Sequence, residues 1–257
     1  MDTSYVYGLI GYPLSHSFSQ RYFTEKFAGE GLCRHTYCNF PVENISRLEE
    51  VLQQHPDLAG FNVTIPYKEQ IIPYLDELDE IASKIGAVNT VRILRQAGGV
   101  RLQGFNTDAY GFKTSLEEWY ASRESGFPKY AFILGTGGAS KAVEFVLRQL
   151  SVTPHFVSRK VAEGVYKTYG ELNHRDFATH LLVVNTSPLG MYPHADTCPD
   201  IPYDCLNERH FLYDLVYNPE ETLFMRRGKE RGAAVHNGER MLRLQADKAW
   251  EIWTMGS

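Results

Sequence analysis

The stretch from Tyr130 to Leu150 constrains this chain more than any other. The apolar run Tyr130-Ala131-Phe132-Ile133-Leu134 passes directly into Gly135-Thr136-Gly137-Gly138-Ala139-Ser140, and a helical pattern continues from Ser140 to Leu150. A short apolar run stopped by glycine reads as a buried parallel strand. Glycines let the backbone turn sharply and come close to a pyrophosphate, and the helix that follows offers unpaired N–H groups at the positive end of its dipole. Ser140 stands where a third glycine would complete the Gly-x-Gly-x-x-Gly pattern. Glycines alone would suit a plain tight turn about as well; strand before and helix after favour a dinucleotide site. The candidate cofactor contacts here are Gly135, Thr136, Gly137, Gly138 and Ala139. No Gly-Lys-Ser/Thr follows, which excludes a P-loop.

The next strand, Pro154 to Ser158, bears on which dinucleotide. It ends Ser158-Arg159-Lys160, and Arg159 follows Gly135 by 24 residues. An NAD site carries Asp or Glu near this place to hold the ribose 2′-hydroxyl. A carboxylate would repel a 2′-phosphate, whereas Arg159 and Lys160 would bind one through charge-assisted hydrogen bonds. Two basic residues opening a surface loop are common in any protein, but this position favours NADP, with Ser158, Arg159 and Lys160 as contacts.

Short apolar runs and amphipathic stretches alternate elsewhere too, which argues for an α/β class. Strands are expected at 5–10, 36–40 and 60–64, with helices at 18–27 and 42–52 between them. Residues 87–94 and 100–104 read as a hairpin around Gly98-Gly99, followed by a helix at 108–119. Beyond the Ser-, Gly- and Pro-bearing segment 122–129 come further strands at 130–134, 154–158, 181–185 and 211–215. A helix at 220–231, a short strand near Ala233 and an amphipathic helix at 240–253 complete the chain. Its 257 residues can bury one large core or two modest ones, and 43% hydrophobic with 22% charged residues excludes a disordered chain.

The net charge of −5, without a Lys/Arg cluster, argues against nucleic acid as a partner. No apolar run approaches bilayer length, and Met1-Asp2-Thr3-Ser4 lacks the basic and apolar regions of a signal peptide, so a cytoplasmic location is expected. Cys33, Cys38, Cys198 and Cys205 lack metal or redox spacing and read as reduced, and no metal site is expected.

Polar residues recur where strand ends and loops are expected. Ser15 to Ser19 follow the first strand, Asn62 to Lys68 end the third, and Asn89-Thr90, Asn106-Thr107-Asp108 and Gln245 come later. Ligands in open α/β sheets gather outside the carboxyl ends of strands. Asn and Ser are also ordinary turn and cap residues, and Lys68 could be a solvated surface lysine. Their joint recurrence beside apolar strands suits a small polyhydroxylated or carboxylated ligand.

In chain order, Gly11-x-Pro13-x-x-His16-Ser17-x-Ser19, Asn62-Val63-Thr64-x-Pro66-x-Lys68, Gly86-Ala87-Val88-Asn89-Thr90 and Gly104-x-Asn106-Thr107-Asp108 resemble the shikimate dehydrogenase family. Asn185-x-Ser187-x-x-Gly190-Met191, Asp214-x-x-Tyr217-x-Pro219 and Met241-Leu242-x-x-Gln245 continue the likeness to about residue 253. The resemblance implies reversible, NADPH-dependent reduction of 3-dehydroshikimate to shikimate in the chorismate route to aromatic amino acids. It implies that Ser17 and Ser19 hold the substrate carboxylate, with Tyr217 nearby, while Thr64, Asn89, Asp108 and Gln245 hydrogen-bond ring hydroxyls. Lys68 and Asp108 would form the catalytic pair beside the reacting oxygen. Thr186, Leu215, Gly238 and Met241 join the cofactor contacts on the same ground.

The chain departs from the family pattern in places. Gln20 replaces a proline, Ala109 a glycine, and Arg240 the second glycine of Gly-x-Gly-Met; Ser158-Arg159-Lys160 replaces Asn-Arg-Thr. None of these removes a group the chemistry needs. The expected architecture is α/β and two-lobed. An N-terminal α/β substrate domain, residues 1–104 with 238–257, and a Rossmann-like NADP-binding domain, residues 105–237, would be separated by a cleft that closes over the reaction. Partners would be small molecules, with the chain a monomer or homodimer. Competing readings are a quinate/shikimate dehydrogenase of broader substrate or NAD use, and a non-enzymatic NADP-binding regulator; retention of both Lys68 and Asp108 argues against the latter.

Overall fold

The computed structural model describes residues 4–14, 17–96, 99–121 and 126–255. His16 of the first polar motif, Gly98 of the hairpin turn and part of the 122–129 segment lie outside them. The chain divides into two compact units, Met1–Thr107 with Ala246–Ser257, and Asp108–Gln245.

In the first unit, chain order runs β1 (Tyr5–Gly11), α1 (Phe18–Gly29), β2 (His35–Pro41), α2 (Leu48–Gln54), β3 (Leu58–Val63), β4 (Glu77–Leu78), α3 (Glu80–Ile85), β5 (Thr90–Gln96) and β6 (Gly99–Phe105). These strands form one sheet in the order β2-β1-β3-β5-β6-β4. β1 pairs parallel with β2 and β3, whereas β5 runs antiparallel to β3 and β6. Alternation along β1 sorts its side chains to two cores. Ile10 joins Phe61, Val63 and Val91 on one face, while Tyr7 and Leu9 join Phe23, Phe27 and Tyr37 of α1 and β2 on the other. Trp253, from the last helix, closes the second core and donates its indole N–H to the Val91 carbonyl at 3.0 Å. Gly60 makes room for it: a Cβ there would fall 2.3 Å from the indole Cδ1.

Two expectations change here. The helix placed at 42–52 begins late, because Asn44 caps a 3-10 turn (Ile45–Arg47) and α2 starts only at Leu48. The unexpected α3 has its own punctuation: the Asp79 carboxylate accepts from the Ile81 and Ala82 amides, and Gly86 ends the helix at φ +69°.

The second unit contains α4 (Thr107–Tyr120), β7 (Tyr130–Leu134), α5 (Gly138–Gln149), β8 (Thr153–Ser158), β9 (Val165–Thr168), α6 (His174–Phe177), β10 (His180–Asn185), β11 (Phe211–Asp214), α7 (Leu223–Lys229), β12 (Ala234–His236) and α8 (Glu239–Thr254); α8 crosses into the first unit at Ala246. All six strands are parallel, in the order β12-β11-β10-β7-β8-β9. This is the doubly wound arrangement, with β7 central and its C-terminal end opening onto the glycine turn. Phe132, Leu134, Val157, Val183 and Leu212 fill one core with Phe177 and Phe224, and α5 packs on β7 and β8. The helix expected at 220–231 shrinks to α7, because the Thr222 hydroxyl caps it by accepting from the Met225 amide and itself donates to Asp214.

A histidine pair, His180 buried and His155 half-buried, ties β8 to β10. His180 lies 2.8 Å through Nδ1 from the Asp176 carbonyl, so that nitrogen carries the proton and Nε2 accepts from His155 Nδ1 at 2.7 Å. Burial lowers both pKa values from 6.5; Arg148 adds to the effect on His155, whereas the Asp176 carbonyl and carboxylate partly offset it on His180. The unfolded chain therefore takes up protons near pH 6.5 before the folded chain does, and stability falls as pH drops from 7 toward 6. Below pH 6, Asp214 works the other way, since its folded-state pKa is raised from 3.8 to about 6. The melting temperature should be lower at pH 6 than at pH 7.5, and His155→Gln should shrink that difference. An undiminished difference in the variant would rule out the pair as its source.

Candidate functional site

In the first unit, candidate residues cluster at the carboxyl ends of β1 and β3 and just before β5. Ser17 caps α1, accepting from the Gln20 amide at 3.2 Å, and Ser19 lies in the first turn. Ser19 hydrogen-bonds the Tyr37 hydroxyl, which donates to Asn62 Oδ1 at 2.8 Å. Asn62 Nδ2 donates to the Asn89 carbonyl at 3.2 Å and the Thr90 hydroxyl at 3.1 Å. Asn89 Oδ1 then accepts from the Thr107 amide at 2.7 Å, while its Nδ2 donates to the Thr107 hydroxyl at 2.9 Å. One polar chain thus runs from Ser19 to Thr107 through buried groups, which holds Asn89 in a set orientation.

Thr64 and Lys68 belong to the turn after β3. The Thr64 amide donates to the Ile10 carbonyl at 2.9 Å, and the Lys68 carbonyl accepts from Val88 at 2.7 Å. Backbone bonds therefore place Lys68 beside Val88-Asn89, with its side chain half-buried. Tyr37, Asn62 and Thr107 are the residues that sequence reasoning left without a role. Asn62 and Thr107 stood inside the quoted motifs, whereas Tyr37 carried no signal beyond a strand position.

The second unit holds the glycine turn. Gly135 sits at φ +110°, a conformation that favours glycine, and a Cβ on it would press to 3.0 Å from the Thr186 hydroxyl oxygen. Gly137 caps α5, and a Cβ there would meet nothing within 4 Å, so the helix N-terminus opens to space. Ser140, in the third glycine's place, is buried and turns its hydroxyl back to the Gly137 carbonyl at 2.6 Å. The substitution keeps close helix–strand packing by satisfying its own oxygen. Arg159 and Lys160 stand exposed at the end of β8, with no carboxylate between Ser158 and Val161.

Asn185 and Asp214 brace the neighbouring strand ends. Asn185 Nδ2 donates to Asp214 Oδ1 at 2.9 Å, and the Val216 amide donates to the same oxygen at 3.0 Å. Thr222 donates to Asp214 Oδ2 at 2.6 Å. This network shapes the Leu215–Tyr217 loop against Gly238, where a Cβ would fall 2.1 Å from the Leu215 carbonyl oxygen. Asp108 is buried in the first turn of α4, and Gln245 is buried on α8 with Nε2 donating to the Leu242 carbonyl at 2.9 Å. Arg240 pairs with Glu118.

A six-stranded parallel sheet whose central strand ends in a glycine turn, a helix N-terminus and a basic strand end defines a dinucleotide-binding α/β protein. Residues 9–91 match the family model described as the shikimate dehydrogenase substrate binding domain. The chain is 36% identical over 263 residues, 96% of its length and 91% of the relative's, to the shikimate dehydrogenase (NADP(+)) of Methanococcus aeolicus. It belongs to the shikimate dehydrogenase family. Among solved structures, the Thermus thermophilus shikimate 5-dehydrogenase in complex with NADP(H) and shikimate is 30% identical with a TM-score of 0.80, covering 98% of this chain and 94% of that one. The quinate dehydrogenase of Corynebacterium glutamicum in complex with NAD is 27% identical with a TM-score of 0.83, again covering 98% and 94%.

Proposed function

We propose that this chain catalyses the reversible NADPH-dependent reduction of 3-dehydroshikimate to shikimate, an oxidoreductase reaction at a secondary alcohol. The observation that carries the reading is the cluster Ser17, Ser19, Thr64, Lys68 and Asn89 at strand ends, in a chain 36% identical to a shikimate dehydrogenase over 96% of its length. Ser17 and Ser19, at the N-terminus of α1, suit a carboxylate, which the helix dipole and hydroxyls both favour. Thr64, Asn89, Asp108 and Gln245 offer hydrogen bonds to ring hydroxyls, and Tyr217 stands by the carboxylate.

The groups of the second unit fit NADP. The open helix N-terminus at Gly137 and Gly138 accommodates a pyrophosphate, and Arg159 and Lys160 suit a 2′-phosphate. Gly135, Thr136, Ala139, Ser158, Thr186, Leu215, Gly238 and Met241 complete the proposed contacts. NADPH supplies the hydride when bound. This chain's part is to stabilise the charge that develops on the carbonyl oxygen, which needs a cation or proton donor beside it. Lys68 is that group, and Asp108 orients it or relays the proton.

The domain assignment follows the same reading: residues 1–104 with 238–257 for substrate, and 105–237 for the cofactor. Partners are shikimate and 3-dehydroshikimate rather than nucleic acid or membrane. Among the described residues no helix is long and apolar enough to cross a membrane. The chain acts in the cytoplasm, as monomer or homodimer. A spectrophotometric assay of shikimate with NADP+ and with NAD+ tests the reading directly. The likeness to an NAD-bound quinate dehydrogenase keeps one second reading in view, so quinate belongs in the same assay. A higher kcat/KM for quinate, or for NAD+, would overturn the specificity assignment.

Arg159→Ala should weaken NADPH about tenfold, the worth of a charge-assisted hydrogen bond at an exposed site, while NADH binding changes little. Fluorescence titration with both cofactors measures this. Equal losses would refute the 2′-phosphate contact.

A further inference from the structure

One face of α4 carries Asp108, Gly111, Ser115 and Glu118, three or four residues apart. Gly111, Ser115 and Glu118 are engaged differently within the second unit. Gly111 lets α8 approach so closely that a Cβ would fall 2.6 Å from the Met241 carbonyl oxygen and 3.1 Å from Gln245 Cβ. Ser115, fully buried, accepts from the Tyr213 hydroxyl at 2.8 Å and lies 3.2 Å from His236 Nε2. Glu118 receives a two-armed pair from Arg240: Nε to Oε2 and Nη2 to Oε1, both 2.7 Å.

Arg240 lies between Gly238 and Met241, two proposed cofactor contacts. Gly238 is pressed on Leu215, and the preceding Asn237 donates its side-chain amide to the Glu220 carbonyl at 2.9 Å. From the same short segment the Arg240 guanidinium fork grips Glu118 of α4. We infer that Glu118 and Arg240 are positioning residues for the proposed reaction: they fix the first turn of α8 on α4, the helix whose first turn carries Asp108, and so set Gly238 and Met241 for the cofactor. The inference rests on the proposed NADPH-dependent activity. The planar fork accounts for arginine rather than lysine, since an ammonium cannot make two parallel bonds to one carboxylate. The pair lowers the Glu118 pKa, which keeps it ionised across the working pH range.

Both side chains are about half exposed, so their replacement should leave the fold intact. Arg240→Ala and Glu118→Gln should each raise KM for NADPH about three- to fivefold, the scale of a well-formed exposed pair, with kcat within about twofold. The double exchange Glu118→Arg with Arg240→Glu should recover most of the loss. High salt should shrink the difference between parent and single variants. A shift in melting temperature with KM unchanged would mark the pair as merely structural and overturn the inference, as would a double exchange no better than the singles. If the parent lacks NADPH-dependent turnover, the proposed function fails instead, and NADPH titration of the same variants still tests the pair.

Discussion

Replacing Lys68 with alanine is expected to lower kcat about a thousandfold while shikimate still binds within a few-fold of its original affinity. The magnitude is that of removing one preorganised group from a developing oxyanion, about 10²–10³ from such groups and up to 10⁴ where proton donation is lost too. The Lys68 contact that shapes its turn is the carbonyl accepting from Val88, and alanine keeps it. A thermal melt of the variant beside its kinetics separates chemistry from folding. Asp108→Asn is the companion: it keeps size and polarity in the first turn of α4 but cannot take a proton. Calorimetric titration with shikimate, beside steady-state kinetics, decides the outcome; unimpaired turnover in Lys68→Ala would remove it from the proposed mechanism.

Gly238→Ala is expected to damage both stability and cofactor use. The added Cβ would sit 2.1 Å from the Leu215 carbonyl oxygen and 2.6 Å from its carbon, both backbone atoms that cannot rotate aside. The Gly238 amide also donates to the Val216 carbonyl at 3.2 Å, and its carbonyl starts α8 by accepting from Leu242 at 2.9 Å. Separating the two segments strains those bonds and the Asp214 network behind them. Overpacking of this kind costs about 1–3 kcal/mol. KM for NADPH should rise about tenfold, since losing one hydrogen-bonded contact costs about 1.4 kcal/mol, a factor of ten in affinity. Gly238 lacks a positive φ, so backbone conformation is not the obstacle; the close approach is. Thermal melts and NADPH kinetics of the one variant test this, and an unperturbed protein would overturn the close approach to Leu215 as the reason for glycine here.

What could be read from residues alone followed local physics. The glycine turn after β7 is legible because apolar run, glycines and helix stand consecutively, whereas the bond by which the Ser140 hydroxyl is satisfied on the Gly137 carbonyl is not. β9 was missed because only residues 159–164 join β8 to a parallel neighbour, far fewer than the usual crossover. The third helix was missed despite its Asp79 cap and Gly86 stop, since its six residues hold too little periodicity. Thr222 reads as an ordinary polar residue, yet held by its bond to Asp214, eight residues earlier, it caps α7 and so decides where that helix begins.

Class, glycine turn, basic strand end and family are all legible along the chain, because each is written in contiguous residues or in their order. Which polar residues act on one another is settled in three dimensions. Ser19, Tyr37, Asn62, Asn89 and Thr107 come from five separate segments, and hydrogen bonds are made by distance in space. The tertiary structure also decides why Gly60, Gly111 and Gly238 must be small, since the atoms they make room for lie in Trp253, Met241 and Leu215. A glycine's neighbours across a fold are set by packing, which no spacing along the chain records.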